Sequence, residues 1–213
     1  MNQFESIEAN PSIRYGWYLR PSRQMCDAQI EIHRLLEYQY GMIGGGVFMP
    51  HATIKGFFRS DALITDIVAA FDSAVEGHEA YTVFNAGPIG LPNAGIMLNI
   101  HQNSDGSVNM AQQKLHESAW NAIAPLVHTE CDFSPREGSM ERFFAHLTLS
   151  MSDMRPEFYE EILEFIQANG PIGPSTFTAE YFHLFAFHSE DWSGEWWHTL
   201  KWKLLHGWRL PTP

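Results

Sequence analysis

A short apolar strand, a turn and a one-faced helix ending in glycine occur twice in this chain, in the same order. The first copy runs from His51 to Gly77 and the second from His146 to Gly170. Each is preceded by a further strand and a long helix (Ile13 to Tyr40, and Ile96 to Leu126) and followed by a β-rich stretch. A chain duplicated in this way is constrained to fold as two related α/β halves, approximately 13–95 and 96–210. Residues 1–213 then read as a single domain with intertwined lobes, long enough to bury a substantial core.

The pattern supports these elements one by one. Ile13 to Arg20 alternates around Tyr15, Trp17 and Leu19 as a strand stopped by Pro21. Apolar residues at helical spacing mark Arg23 to Tyr40, with Gly41 placed as a C-terminal cap. The glycine-rich Gly41 to Gly46 leads into a strand, not a helix, so it reads as a hinge or tight turn and not as a phosphate cradle. The first motif strand is expected over Val47 to Phe58, then a helix over Asp61 to Glu76 with Ser60 as N-cap. Tyr81 to Ala86 and Ile96 to Gln102 read as strands joined by a hairpin connection, Gly87 to Asn93. A helix over Val108 to Leu126 should end or kink at Pro125. A polar loop holding Ser134-Pro135-Arg136-Glu137-Gly138 precedes the second motif strand, Arg142 to Met151. A helix over Arg155 to Ala168, capped by Ser152 or Asp153, then leads to strands over Phe177 to Phe187 and Trp196 to Leu210.

Composition narrows the function classes. The formal net charge of -12 is spread without blocks, which disfavours binding to long duplex nucleic acid while leaving room for a small nucleotide or an RNA end. Two cysteines, Cys26 and Cys131, make no disulfide framework, and Met1 to Asn10 has neither a basic nor an apolar leader segment. No run of about 18 apolar residues is present, so no membrane span is expected. These features point to a soluble protein of a reducing compartment, most simply the cytoplasm, and a monomer is favoured.

The two motif strands carry Pro50-His51-Ala52-Thr53-Ile54 and Ala145-His146-Leu147-Thr148-Leu149. Residues two apart on a strand share a face, so each strand presents an imidazole and a hydroxyl side by side. Across a shared groove, two imidazoles and two hydroxyls suit a phosphodiester. One imidazole takes a proton from water and the other gives one to the leaving oxygen, since histidine titrates near neutrality. Thr53 and Thr148 would hold the non-bridging oxygens, so the reaction requires no metal or other cofactor.

With these motifs in matching halves, the chain resembles the two-histidine (2H) phosphoesterase superfamily, the LigT-like and cyclic phosphodiesterase group. The resemblance covers most of the chain: the first strand ending at Pro21, both His-x-Thr motifs and the element order of both lobes. It implies an α+β fold of two duplicated lobes, with antiparallel sheets forming a central cleft and helices on the outer faces. It also implies metal-independent hydrolysis of a cyclic or 2′-5′ phosphodiester, with His51, Thr53, His146 and Thr148 as catalytic residues. Which histidine is acid and which is base stays open. So does the substrate: a 2′,3′-cyclic phosphate, a cyclic ADP-ribose phosphate, a 2′-5′ oligonucleotide or a cyclic dinucleotide. Ala52 is smaller than the apolar residue usual between the first His and Thr, and Thr129 to Glu141 and the tryptophan-rich C-terminus match no substrate signature.

Continuing the period of two adds Lys55 beside His51 and Thr53, and Ser150 beside His146 and Thr148, as substrate-binding candidates. Lys55 is either a cation beside the phosphate or an ordinary lysine at the rim. Tyr18 and Arg20 share the polar face of the first strand and could touch a base or phosphate. Other patterns are weaker. His188-Ser189-Glu190 has the spacing of part of an iron site whose third ligand would be His198 or His206, and His128-Thr129-Glu130-Cys131 is half a zinc site with no partner pair. Trp196, Trp202 and Trp208 are expected to fill the core of a terminal hairpin, with a base-stacking platform as the alternative.

Overall fold

The duplication reappears as a palindrome of strands. In the computed structural model, which describes residues 10–91, 94–133 and 143–213, seven antiparallel strands form one sheet in the order β4-β5-β6-β2-β1-β8-β9. The strands are β1 (Ile13–Arg20), β2 (Ala52–Phe58), β3 (Tyr81–Phe84), β4 (Pro88–Leu91), β5 (Gly95–Asn99), β6 (His146–Ser150), β7 (Thr176–Ala179), β8 (Tyr181–His188) and β9 (Lys201–Arg209). Reading outward from the β6-β2 junction, each side presents a motif strand, the first strand of that half and that strand's outer partner. β3 and β7 pair with each other in a separate small sheet, and β9 has no counterpart among the described residues.

The α-helices among the described residues are α1 (Arg23–Tyr40), α2 (Ile64–Val75), α3 (Met110–Ile123) and α4 (Tyr159–Ala168). α1 starts where Ser22 accepts the Met25 N–H through its side chain and ends at Gly41, whose φ of 70° lets its N–H close on the Glu37 and Leu36 carbonyls. α3 gives way to a 3-10 turn over Ala124–Leu126 as Pro125 withdraws a donor. The helices are exchanged between halves: α1 packs on β6, whereas α3 packs on β2. One apolar cluster runs through both halves, from Ile13, Trp17 and Leu19 of β1 to Ile96 and Leu98 of β5 and Leu147 of β6.

Several expected boundaries move for physical reasons. Ser60 does not cap α2, because its hydroxyl donates to the Leu126 carbonyl at 2.6 Å, and the helix begins at Ile64. Neither Ser152 nor Asp153 caps α4. The Asp153 carboxylate instead accepts the N–H groups of Ile43 and Gly44, each at 2.6 Å, and α4 begins after a 3-10 turn over Pro156–Phe158. The connection expected from Gly87 to Asn93 contains a strand, β4, which pairs with β5, while β3 leaves for β7. Pro92 and Asn93, the loop at 134–141 and Arg142 lie outside the described residues. No helix among the described residues is long and apolar enough to cross a membrane.

Candidate functional site

β2 and β6 meet through one antiparallel pair, Ala52 with Leu147. Both side chains of that pair are fully buried and face the core, so the alternation turns His51, Thr53, His146 and Thr148 to the opposite face. Antiparallel register sets His51 beside Thr148 and Thr53 beside His146. Residues diagonal across such a pair lie about 7–8 Å apart, a span that a phosphoryl group can bridge between the imidazole edges. All four side chains are half-buried.

The two imidazoles are held in the same way. His51 Nδ1 lies 2.7 Å from the Met49 carbonyl oxygen, and His146 Nδ1 lies 2.7 Å from that of Phe144. A carbonyl only accepts, so in each neutral ring Nδ1 carries the proton and Nε2 keeps the lone pair. Neither Nε2 and neither threonine hydroxyl has a hydrogen-bond partner among the described residues. Burial pushes His51 down to about 4, opposed by the Met49 carbonyl and reinforced by the imidazoles of His146 and His33. Burial also lowers His146, against the Phe144 carbonyl. Both rings are therefore neutral near pH 7 and able to accept a proton.

Tyr18 and Arg20 flank His51. Tyr18 pairs with Thr53 across the strands, and its buried ring meets the His51 ring edge-on at 4.7 Å. It thus supports the imidazole from the side. Arg20 is exposed at the end of β1, next in register to His51, with its guanidinium 4.2 Å over the Tyr181 ring.

Lys55 and Ser150 are not on this face. In β2, Tyr18 pairs with Thr53 but Trp17 pairs with Lys55, so Ile54 is an extra residue and the alternation is inverted at Lys55, before a second register shift between Lys55 and Phe58. Lys55 is buried on the helix side, its ammonium 4.5 Å over the Trp120 ring and donating to the Gly56 carbonyl. Burial there lowers it to about 8. The same happens in β6: Met97 pairs with Thr148 and Ile96 with Ser150, which leaves Leu149 as the extra residue. Ser150 is buried, accepting the Ile96 N–H and donating to the Met154 sulfur.

Residues outside the two motifs complete the surroundings. Phe48 lies 5.6 Å from the His51 ring and 5.5 Å from Trp196, and belongs to an aromatic wall with Tyr18, Phe57, Phe185, Phe187 and Trp192. Of the three tryptophans expected in the core only Trp208 is there, against Trp17 and Phe71. Trp202 is 42% exposed and Trp196 is half-buried in the wall. On α1, Gln29 and His33 are buried and both bond the Thr148 carbonyl. The loop Gly44 to Gly46 packs under them: a Cβ on Gly45 would sit 2.8 Å from the Leu149 carbonyl oxygen and 3.2 Å from His33 Nε2. The segment is therefore a tightly seated turn and not a hinge. No three metal-ligating side chains gather among the described residues, and His128 instead faces Asp61 at 3.2 Å.

No family model and no curated protein matches the chain. Solved structures do. TT0787 of Thermus thermophilus is 14% identical over 93% of this chain and 98% of its own, with a TM-score of 0.61. E. coli LigT complexed with NADP+ is 14% identical over 95% and 100%, with a TM-score of 0.53, and LigT complexed with 3′-AMP is 12% identical over 92% and 97%, with a TM-score of 0.51. A further structure described as a phosphoesterase is 13% identical over 93% and 98%, with a TM-score of 0.51. The chain therefore shares the LigT-like fold along nearly its whole length.

Proposed function

We propose that the chain is a two-histidine phosphoesterase that hydrolyses a cyclic or 2′-5′ phosphodiester of a nucleotide or RNA end without a metal. The observation that carries the reading is the matched pair of imidazoles. Two half-buried rings on adjoining strands, each with Nδ1 tied to the carbonyl two residues before it, set Nε2 atoms beside threonine hydroxyls, none of them with a hydrogen-bond partner among the described residues. The shared fold with a phosphoesterase and with LigT, which has been crystallised with NADP+ and 3′-AMP, supports a nucleotide substrate.

His51, the more strongly depressed of the two, takes the proton from water. His146 gives a proton to the leaving ribose oxygen, and the negative phosphodiester between the rings raises its proton affinity once bound. Thr53 and Thr148 donate to the non-bridging oxygens as charge develops, and Arg20 supplies a cation at the rim. Tyr18 keeps the His51 ring in place.

The test is a screen of 2′,3′-cyclic phosphates, cyclic ADP-ribose phosphate, 2′-5′ oligonucleotides and cyclic dinucleotides with chelator present. His51→Ala and His146→Ala should each remove turnover while leaving a folded protein. Turnover that survives both changes, or that needs a divalent metal, overturns the reading. Binding without product would make the chain a nucleotide-binding module of the same fold.

A further inference from the structure

The site has a second duplicated feature, on the helices. Each motif strand bulges directly after its threonine, at Ile54 in β2 and at Leu149 in β6. An extra residue interrupts the ladder and leaves main-chain groups that must find partners elsewhere. In β6 the Thr148 carbonyl accepts from Gln29 Nε2 at 2.9 Å and from His33 Nε2 at 3.0 Å. In β2 the Ile54 carbonyl accepts from His116 Nδ1 at 2.6 Å. Gln29 and His33 stand four apart on α1, as Gln112 and His116 do on α3, so Gln-x-x-x-His recurs on the equivalent helices of the two halves. Gln112 is buried and its side-chain amide has no hydrogen-bond partner among the described residues, so there only α1 uses both residues.

The helices are also crossed. α1 belongs to the first half and grips the motif strand of the second, while α3 belongs to the second and grips that of the first. This matters because the ladder between β2 and β6 amounts to the single pair of Ala52 and Leu147, too little to fix how far apart the two strands lie. The helix bonds act one residue from Thr53 and at Thr148 itself.

We propose that His33 and His116 are positioning residues that set the separation of His51 and His146 by holding each motif strand at its bulge from the opposite half. The proposal rests on the reading of His51 and His146 as the acid-base pair. Neither helix histidine needs to reach substrate. Burial lowers the proton affinity of both rings, so each is neutral near pH 7 and has one N–H to give. His33 must carry it on Nε2 and His116 on Nδ1, because those atoms face the carbonyls.

That difference supplies a crossed rescue. A glutamine amide nitrogen reaches where a histidine Nε2 lies, and an asparagine amide nitrogen where Nδ1 lies. With 2′,3′-cyclic AMP as substrate and all proteins assayed well below their melting temperatures, His33→Leu and His116→Leu should each lower kcat by about 10- to 100-fold, the effect of misplacing reacting groups by about 1 Å. KM should change by less than about threefold, since the aromatic wall and Arg20 are untouched. His33→Gln and His116→Asn should restore most of kcat, and His33→Asn and His116→Gln should not. In histidine ring 1H–15N spectra, His33→Leu should displace the His146 signals and His116→Leu those of His51. Unchanged kcat per folded protein, or rescue by either amide alike, overturns the proposal. If wild type turns over none of the substrates screened, the proposed reaction fails, and ring signals that stay in place then overturn this inference separately.

Discussion

Replacing His51 by asparagine tests the desolvated imidazole through stability alone, with no substrate needed. The amide nitrogen of asparagine can still donate to the Met49 carbonyl, so what is lost is mainly the titrating ring. Burial lowers His51 from its ordinary 6.5 to about 4. Above pH 6.5 the ring is neutral in both folded and unfolded chains and contributes no pH dependence. As pH falls below 6.5 the unfolded chain takes up a proton that the folded one refuses, so stability drains away until about pH 4. At pH 5 the gap is about 1.5 pH units at about 1.36 kcal/mol each, or about 2 kcal/mol. Six other histidines, at 33, 78, 101, 116, 146 and 183, are also lowered, but they are common to both proteins and largely cancel. Urea unfolding followed by tryptophan fluorescence at pH 8, 6.5 and 5 should show the wild type losing about 2 kcal/mol more than His51→Asn between pH 8 and 5. With m near 2 kcal/mol/M that is about 1 M in midpoint. Parallel profiles would mean that the ring is hydrated in the folded protein, and the assignment of His51 as a low-affinity base would fall with them.

Two further substitutions probe the scaffold. Gly45→Ala places a methyl 2.8 Å from the Leu149 carbonyl oxygen and 3.2 Å from His33 Nε2, so it should cost about 1–3 kcal/mol and lower kcat, and an unchanged melting temperature would show that the turn is loosely seated. Ser150→Ala strands the buried Ile96 N–H and should cost about 1–3 kcal/mol while KM stays constant; a raised KM at unchanged stability would return Ser150 to the substrate face.

Period and punctuation were legible in the chain wherever a local rule acted alone. β1 runs from Ile13 to Arg20 as its alternation requires, and α1 ends at a left-handed Gly41 as its spacing requires. Each His-x-Thr pair keeps one face, as its spacing of two requires, because it lies on the near side of a bulge. Lys55 and Ser150 read incorrectly because a bulge is set by cross-strand packing, and one inserted residue inverts the face of the residue that follows it. Ser60 and Asp153 look like caps, yet their side chains are taken by partners far away in sequence, the Leu126 carbonyl and the Ile43 and Gly44 amides. Pro88-Ile89-Gly90-Leu91 reads as a turn, and only pairing with β5 makes it a strand. The helical signal at Gln29 and His33 was present, repeated at Gln112 and His116, but buried polar residues on a helix give no hint of which carbonyl they serve.

The exchange of helices also bears on whether either half can stand alone. Cut at the boundary near residue 95, the first half would keep α1 but lose β6, leaving the buried Gln29 and His33 without the Thr148 carbonyl. The second half would keep α3 but lose β2, leaving His116 without the Ile54 carbonyl. Each orphaned buried polar group costs about 1–3 kcal/mol, against a net stability of about 5–15 kcal/mol for a whole domain. The palindromic sheet would also be severed at its centre, exposing Ala52 and Leu147, both fully buried in the intact chain. The bonds from α1 and α3 to the bulges of β6 and β2 are thus among those that make the halves interdependent. Loosening the junction of β2 and β6 would therefore unpair the fold as well as part the two imidazoles.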